Sequence, residues 1–121
     1  MDLREECLGA KKIGISGHIR PDGDCVSVCL SLQMYLRKLL PEAEVTVYLQ
    51  KPSEEFSYLK GYDEIQTECP DQDPFDVYFA LDCSGDRLGD AEKYFRNAKK
   101  KINIDHHISN SGCGDVNLVR P

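Results

Sequence analysis

The chain has 121 residues and a formal net charge of −6, from 15 lysine and arginine and 21 aspartate and glutamate residues. This length suits one domain with a single hydrophobic core. Binding to long duplex nucleic acid needs many phosphate contacts from lysine and arginine, and no basic run here is longer than Lys99–Lys101. We therefore expect no long-duplex partner.

The cysteines and the apolar runs suggest a reducing, aqueous location. The 6 cysteines form no CxxC pair and no zinc-finger spacing, so we expect free thiols. The N-terminus lacks the apolar core of a signal peptide, and no apolar run has the length of a membrane span. We expect a cytoplasmic protein without a membrane partner. Cys25 and Cys83 adjoin Asp24 and Asp82, but we interpret both thiols as small buried hydrophobes rather than metal ligands.

The first half of the chain predicts a strand, a long helix and a second strand. Residues 12–16 alternate in polarity, and 17–23 form a turn rich in glycine. Apolar side chains at helical spacing predict a helix that begins near Asp24 and ends before Pro41. The inward face of this helix is predicted to contain Cys25, Val28, Cys29, Leu32, Leu36 and Leu39. Residues 45–49 predict the second strand.

The second half continues the alternation of helices and strands. Ser53 can cap a short helix that ends at Gly61. The apolar run 75–81 predicts a strand buried on both faces, and residues 86–98 predict a helix. Further strands are predicted at 102–104 and 114–119. This order favours an α/β fold with a parallel, doubly wound sheet and helices on both faces.

Three polar clusters each follow a predicted strand. They are His18, Asp22 and Asp24, then Asp82, and finally Asp105, His106 and His107. Residues at the carboxyl ends of parallel strands can converge in one crevice. So many carboxylates need neutralising protons or cations, and mixed aspartate and histidine ligands suit Mn²⁺, Fe²⁺ or Zn²⁺. The clusters therefore predict one metal site and metal-assisted hydrolysis.

Each cluster alone has a structural alternative. The Pro-Asp-Gly turn that contains Asp22 commonly caps a following helix. A single aspartate after a strand, such as Asp82, can also be a helix cap, and adjacent histidines can form a hydrogen-bonded structural pair. The recurrence of all three clusters at strand ends favours the metal interpretation, with Asp82 placed to bridge two ions about 4 Å apart.

The three motifs resemble those of the DHH phosphoesterase family. The segment from His18 to Asp24 resembles the first family motif, Asp82 resembles the single-aspartate motif, and Asp105-His106-His107 resembles the motif that gives the family its name. The resemblance extends over residues 12–119. It is similar in detail to the nanoRNase and pAp-phosphatase branch, which implies a cytoplasmic, manganese-dependent enzyme.

The resemblance implies a role for each site residue. His18, Asp22 and Asp82 would hold one Mn²⁺ ion, while Asp24, Asp82 and His106 would hold a second. His107 would bind the substrate phosphate as a catalytic residue. Asp105, the other predicted catalytic residue, would orient a ligating imidazole.

Two departures from the family pattern are visible. Ser27 and Val28 stand where the family usually has Gly-Ser. A fourth motif with another metal-binding aspartate and a C-terminal substrate-binding domain are not present. We therefore expect residues 1–121 to form the N-terminal portion of the catalytic domain and to be inactive alone.

The resemblance implies hydrolysis of short oligoribonucleotides, dinucleotides or adenosine 3',5'-bisphosphate by two-metal activation of water. The partner would then be a small phosphate ester or short RNA, and a homodimer is compatible with the sequence. Hydrolysis of pyrophosphate, polyphosphate or a cyclic dinucleotide is an alternative. So is a non-catalytic fragment that binds metal or nucleotide.

Overall fold

Five parallel strands form one sheet in the computed structural model, which describes residues 2–83, 85–105 and 114–119. The spatial order of the strands is β2-β1-β3-β4-β5, and each neighbouring pair is parallel. The predicted α/β fold with a parallel sheet is therefore confirmed. The strands are β1 (Lys12–Ser16), β2 (Glu44–Tyr48), β3 (Val77–Leu81), β4 (Lys100–Asp105) and β5 (Val116–Val119).

Helices cover both faces of this sheet. The α-helices are α1 (Leu3–Glu6), α2 (Gly23–Leu39) and α3 (Glu92–Asn97). Strand β3 is buried along its whole length, and its side chains alternate between two apolar clusters. Phe79 packs in the cluster that contains residues of α2, whereas Tyr78 packs in the cluster that contains Phe95 of α3. Burial on both faces explains why the sequence of β3 is a continuous apolar run.

The buried face of α2 differs from the predicted one. Val28 is 41% exposed, whereas Leu30 and Gln33 are buried. Gln33 is tolerated there because its amide donates a 3.0 Å hydrogen bond to the carbonyl oxygen of Val45 in β2. Apolar periodicity could not predict a buried glutamine whose partner comes from another element.

The predicted helix over 86–98 is also shorter in the structure. Two 3-10 turns, Gly85–Arg87 and Gly89–Ala91, come before α3. Gly89 has a φ of 65°, and a Cβ at this position would lie 2.8 Å from Cγ2 of Ile19. A regular helix is interrupted here because the chain must turn closely past the loop that follows β1.

The helix predicted between Ser53 and Gly61 is only a 3-10 turn, Glu54–Phe56, in the structure. Ser53 caps this turn as predicted, through a 3.4 Å hydrogen bond from the N–H of Glu55. Gly61 has a left-handed φ of 94°, but it lies directly before a second 3-10 turn, Tyr62–Glu64, and does not end the first. Among the described residues, the cysteines at 7, 25, 29, 69 and 83 form no disulfide, and Cys113 lies outside that part of the chain. None of the described helices combines the length and apolarity needed to cross a membrane.

Candidate metal centre

The strand order places a crevice between the carboxyl ends of β1 and β3. After β1 the chain crosses to β2, toward one edge of the sheet. After β3 it crosses to β4, toward the opposite edge. Ligand crevices in open α/β sheets form at such a reversal. His18 follows β1 closely, and Asp82 follows β3 directly. The topology therefore explains why these two side chains meet.

His18 is oriented by its own loop. Its Nδ1 lies 2.8 Å from the carbonyl oxygen of Ile19, which can only accept, so Nδ1 donates this hydrogen bond. Its Nε2 lies 3.8 Å from Oδ1 of Asp22 and 3.6 Å from Oδ2 of Asp82. Ligating histidines are commonly fixed by such a bond from the other ring nitrogen. Nε2 is thus directed toward two carboxylates.

Asp22 has two structural relationships in this site. It caps α2, since its Oδ1 accepts a 2.9 Å hydrogen bond from the N–H of Cys25. Its side chain is 66% exposed and lies beside His18. A carboxylate has several lone pairs, so capping and cation binding are compatible. The helix-cap alternative is therefore correct for Asp22, and it leaves the ligand role open.

Asp82 is held in an unusual backbone conformation. Its φ is 60°, a left-handed value that aspartate adopts more readily than most residues. Its N–H donates to the carbonyl oxygen of Ile104 over 2.9 Å. The buried amide of Asn103 donates to the carbonyl oxygens of Ala80, 3.1 Å away, and Cys83, 2.8 Å away. These bonds from β4 fix the turn on both sides of Asp82.

Cys25 joins His18 and Asp82 in one group of potential ligands. One donor atom from each residue lies within 4.8 Å of the other two. Cys25 is fully buried, as the sequence predicted, but it is also closer to the site than that interpretation implied. In the sequence, only its position directly after Asp24, at the start of the predicted helix, indicated that Cys25 could lie near the site. The contribution of Asn103 was missed because its two acceptors are defined only by the folded turn.

The other predicted site residues are less fully defined. Asp24 is exposed in the first turn of α2 and is not part of the ligand group found among the described residues. Asp105 is 5% exposed at the carboxyl end of β4, beside β3. His106 and His107 lie outside the described residues. The second-ion ligands and the roles of Asp105 and His107 therefore stay predictions.

The described donors fit a divalent cation. With metal–nitrogen and metal–oxygen distances of about 2.0 to 2.2 Å, ligands of a tetrahedral ion lie about 3.4 Å apart. The 3.6 Å between His18 and Asp82 is close to this value. A cation would also offset the repulsion between the carboxylates of Asp22 and Asp82. The site thus has the donor chemistry of a metal centre.

Comparison with known proteins agrees with this geometry. The family model described as the DHH family, N-terminal domain, matches residues 12–121. A search of curated proteins found no match. Members of the matched family are generally metal-dependent hydrolases of the phosphoesterase type. The match includes all five strands and every residue of the candidate centre, and the chain therefore belongs to the DHH family.

Proposed function

We propose that this protein is a manganese-dependent phosphoesterase that hydrolyses short oligoribonucleotides, dinucleotides or adenosine 3',5'-bisphosphate. The observation that carries the proposal is the convergence of His18, Asp22 and Asp82 at the reversal of strand order. Family membership gives hydrolysis of a phosphate ester as the general reaction. The substrate and the two-metal mechanism are the further steps that we propose.

The chain's own residues would divide two Mn²⁺ sites between them. His18 and Asp22 would hold the first ion, Asp24 and His106 would hold the second, and Asp82 would serve both. Two bound divalent ions supply an activated water and stabilise charge that develops on the phosphate. The left-handed turn at Asp82 supports the shared role, because hydrogen bonds with β4 hold this turn in place.

We assign two further roles to Asp105, the last residue of β4, and to His107, which follows it in the sequence. His107 would bind the phosphate of the substrate and hold or transfer a proton there. Asp105 would orient the imidazole of His106 by accepting its ring N–H. The burial of Asp105 supports this assignment, since a buried carboxylate needs partners and this one lies at the carboxyl end of the strand beside β3.

A small substrate suits the charge of the protein. The net charge of −6 disfavours a long polyanion. A cytoplasmic location, where short RNA fragments arise, is part of the proposal.

The direct test is a hydrolysis assay of the protein with Mn²⁺. The substrates are adenosine 3',5'-bisphosphate, a diribonucleotide, a cyclic dinucleotide and pyrophosphate, with the Asp82→Asn variant as the matched control. We expect release of phosphate or mononucleotide from one of the first two substrates, and loss of turnover in the variant. Turnover of only the last two would contradict the proposed substrate class. Mn²⁺ binding without turnover of any substrate would contradict the enzyme proposal itself.

A further inference from the structure

The ligand group at the crevice contains a sulfur donor as well as nitrogen and oxygen. Donor atoms of His18, Cys25 and Asp82 lie within 4.8 Å of one another. The three residues come from three places: the loop after β1, the first turn of α2 and the turn after β3. This convergence of histidine, cysteine and aspartate is not explained by a manganese site, because Mn²⁺ favours oxygen and nitrogen ligands.

The backbone holds the sulfur at this position. The N–H of Cys25 is bound to Oδ1 of Asp22, which fixes the first turn of α2. A Cβ added to Gly17 would lie 2.1 Å from Sγ of Cys25, so the sulfur fills the space that this glycine leaves open. Gly17 directly precedes His18 in the chain. The thiol is therefore packed against the backbone that carries the imidazole ligand.

The distances suit a small thiophilic ion after a modest adjustment. A tetrahedral Zn²⁺ ion has Zn–S of about 2.3 Å and Zn–N of about 2.0 Å, which separates sulfur and nitrogen by about 3.6 Å. The present separations are at most 4.8 Å, so the side chains need to move by about 1 Å. Three protein ligands with an open fourth position is the usual arrangement of a non-structural zinc site.

We propose that Cys25, His18 and Asp82 form a binding site for a thiophilic divalent ion such as Zn²⁺, with the Cys25 thiolate as the selective ligand. Binding transfers the thiol proton to solvent and forms one metal–sulfur bond. The ion takes two of the ligands that the proposed function gives to Mn²⁺, so the two metals compete. The expected consequence is that Zn²⁺ inhibits the manganese enzyme. Only this consequence rests on the proposed function; the binding site itself does not.

The nearby thiol of Cys29 provides a matched control. Cys29 lies one helical turn after Cys25 and is equally buried, but it is outside the ligand group. A hydrogen bond with Cys25 and burial raise the pKa of Cys29 well above its usual range. Cys29→Ser therefore changes a buried thiol of the same helix, keeps a side chain that can hydrogen-bond to Cys25, and leaves the three proposed ligands in place.

The test uses Co²⁺ as a spectroscopic probe for the zinc site. Cobalt bound to a thiolate gives an intense sulfur-to-metal absorption in the near ultraviolet, while its weaker visible bands report binding itself. We expect the sulfur band in the wild type and in Cys29→Ser, and its loss in Cys25→Ser and Cys25→Ala with the visible bands retained. Added Zn²⁺ should displace the cobalt signal.

The outcomes separate this inference from the proposed function. Cobalt binding without a sulfur band in the wild type overturns the thiolate site and leaves the manganese proposal standing. A sulfur band that persists in both Cys25 variants assigns the thiolate to another residue. This outcome also overturns the proposed Cys25 site. Zn²⁺ should inhibit Mn²⁺-dependent turnover about tenfold more strongly in the wild type than in Cys25→Ser. Equal inhibition of the two would contradict the regulatory consequence.

Discussion

His18 and Asp82 face each other across the boundary between β1 and β3, with 3.6 Å between Nε2 and Oδ2. Each residue is positioned by the backbone rather than by the other. Nδ1 of His18 is bound to the carbonyl oxygen of Ile19, and the N–H of Asp82 is bound to the carbonyl oxygen of Ile104. The pair is therefore held in place by the backbone, and the first predictions below test the proposal that it binds a cation.

Replacing Asp82 with asparagine should weaken Mn²⁺ binding by at least about 100-fold, because a ligand proposed to serve both ions loses its charge. Asparagine also tolerates the left-handed φ of 60°, so the backbone should be preserved. Isothermal titration calorimetry measures the affinity. The control is Asp63→Asn, an exposed carboxylate in the 3-10 turn Tyr62–Glu64, which should bind Mn²⁺ like the wild type. Unchanged binding in Asp82→Asn would show that this carboxylate is not a ligand.

Replacing His107 with alanine should lower kcat by about 10² to 10⁴ while sparing the metal content. This is the usual range for a positioned acid-base group that is not a metal ligand. His106→Ala is the matched variant, since it should lose the second metal equivalent. Elemental analysis and steady-state kinetics give both readouts. If His107→Ala loses metal and His106→Ala keeps it, the two proposed roles are reversed.

Asn103→Ala should destabilise the fold by about 2 kcal/mol, because it removes the donor for two carbonyl oxygens beside a buried strand. The same bonds fix the turn that contains Asp82, so Mn²⁺ affinity should fall by about tenfold or more. Chemical denaturation and calorimetry measure the two effects. Asn97→Ala, at the end of α3, is a control away from this turn. A loss of stability with full metal affinity would mean that Asn103 has no part in positioning Asp82.

Much of the fold could be predicted because the strands are local apolar runs. Strand β3 is the clearest case, since burial on both faces requires apolar residues at every position. The helix boundaries after Asp82 could not be predicted in the same way. Gly89 interrupts that segment because of its close approach to Ile19, and this contact exists only in the folded chain.

Part of the candidate site could also be predicted, because its polar residues follow strands that are visible in the sequence. His18, Asp22 and Asp82 are polar residues directly after strands, and topology brings such residues together. Cys25 was not predicted to join them, because its side-chain position depends on the space beside Gly17. A buried thiol and a thiol near a metal site cannot be distinguished from the sequence pattern. Only the packing of α2 against β1 distinguishes them.

Gly17→Ala should destabilise the protein by about 1 to 3 kcal/mol, since its Cβ would lie 2.1 Å from Sγ of Cys25. Cys25→Ala removes that sulfur. The double variant should therefore be more stable than the sum of the two single effects predicts, by about 1 kcal/mol or more. Cys7→Ala, which changes a buried thiol elsewhere, should combine with Gly17→Ala additively. Additive behaviour of the Gly17 and Cys25 variants would contradict the described packing.

Asp76 should make the stability of the fold depend on pH in the acid range. Its Oδ2 accepts hydrogen bonds from the N–H groups of Lys11, 2.9 Å away, and Lys12, 3.0 Å away. These bonds, with a smaller contribution from Lys99, lower the pKa of Asp76 below its ordinary value of 3.8. A carboxylate with a depressed folded-state pKa stabilises the fold above the unfolded-state pKa, and this contribution is lost as the pH falls through the folded-state pKa.

Asp76→Asn should therefore be less stable than the wild type by about 1 kcal/mol at pH 7, because hydrogen bonds to a charged acceptor are stronger than those to a neutral amide. The difference should begin to shrink below about pH 4, where the carboxylate of the unfolded wild type becomes protonated, and should be lost as the pH falls through the lower folded-state pKa. Urea denaturation of both proteins between pH 7 and pH 2.5 measures this convergence. A stability difference that stays constant over that whole range would show that the charge of Asp76 does not contribute to stability. The geometry of its hydrogen bonds alone would then join the start of β1 to the segment before β3.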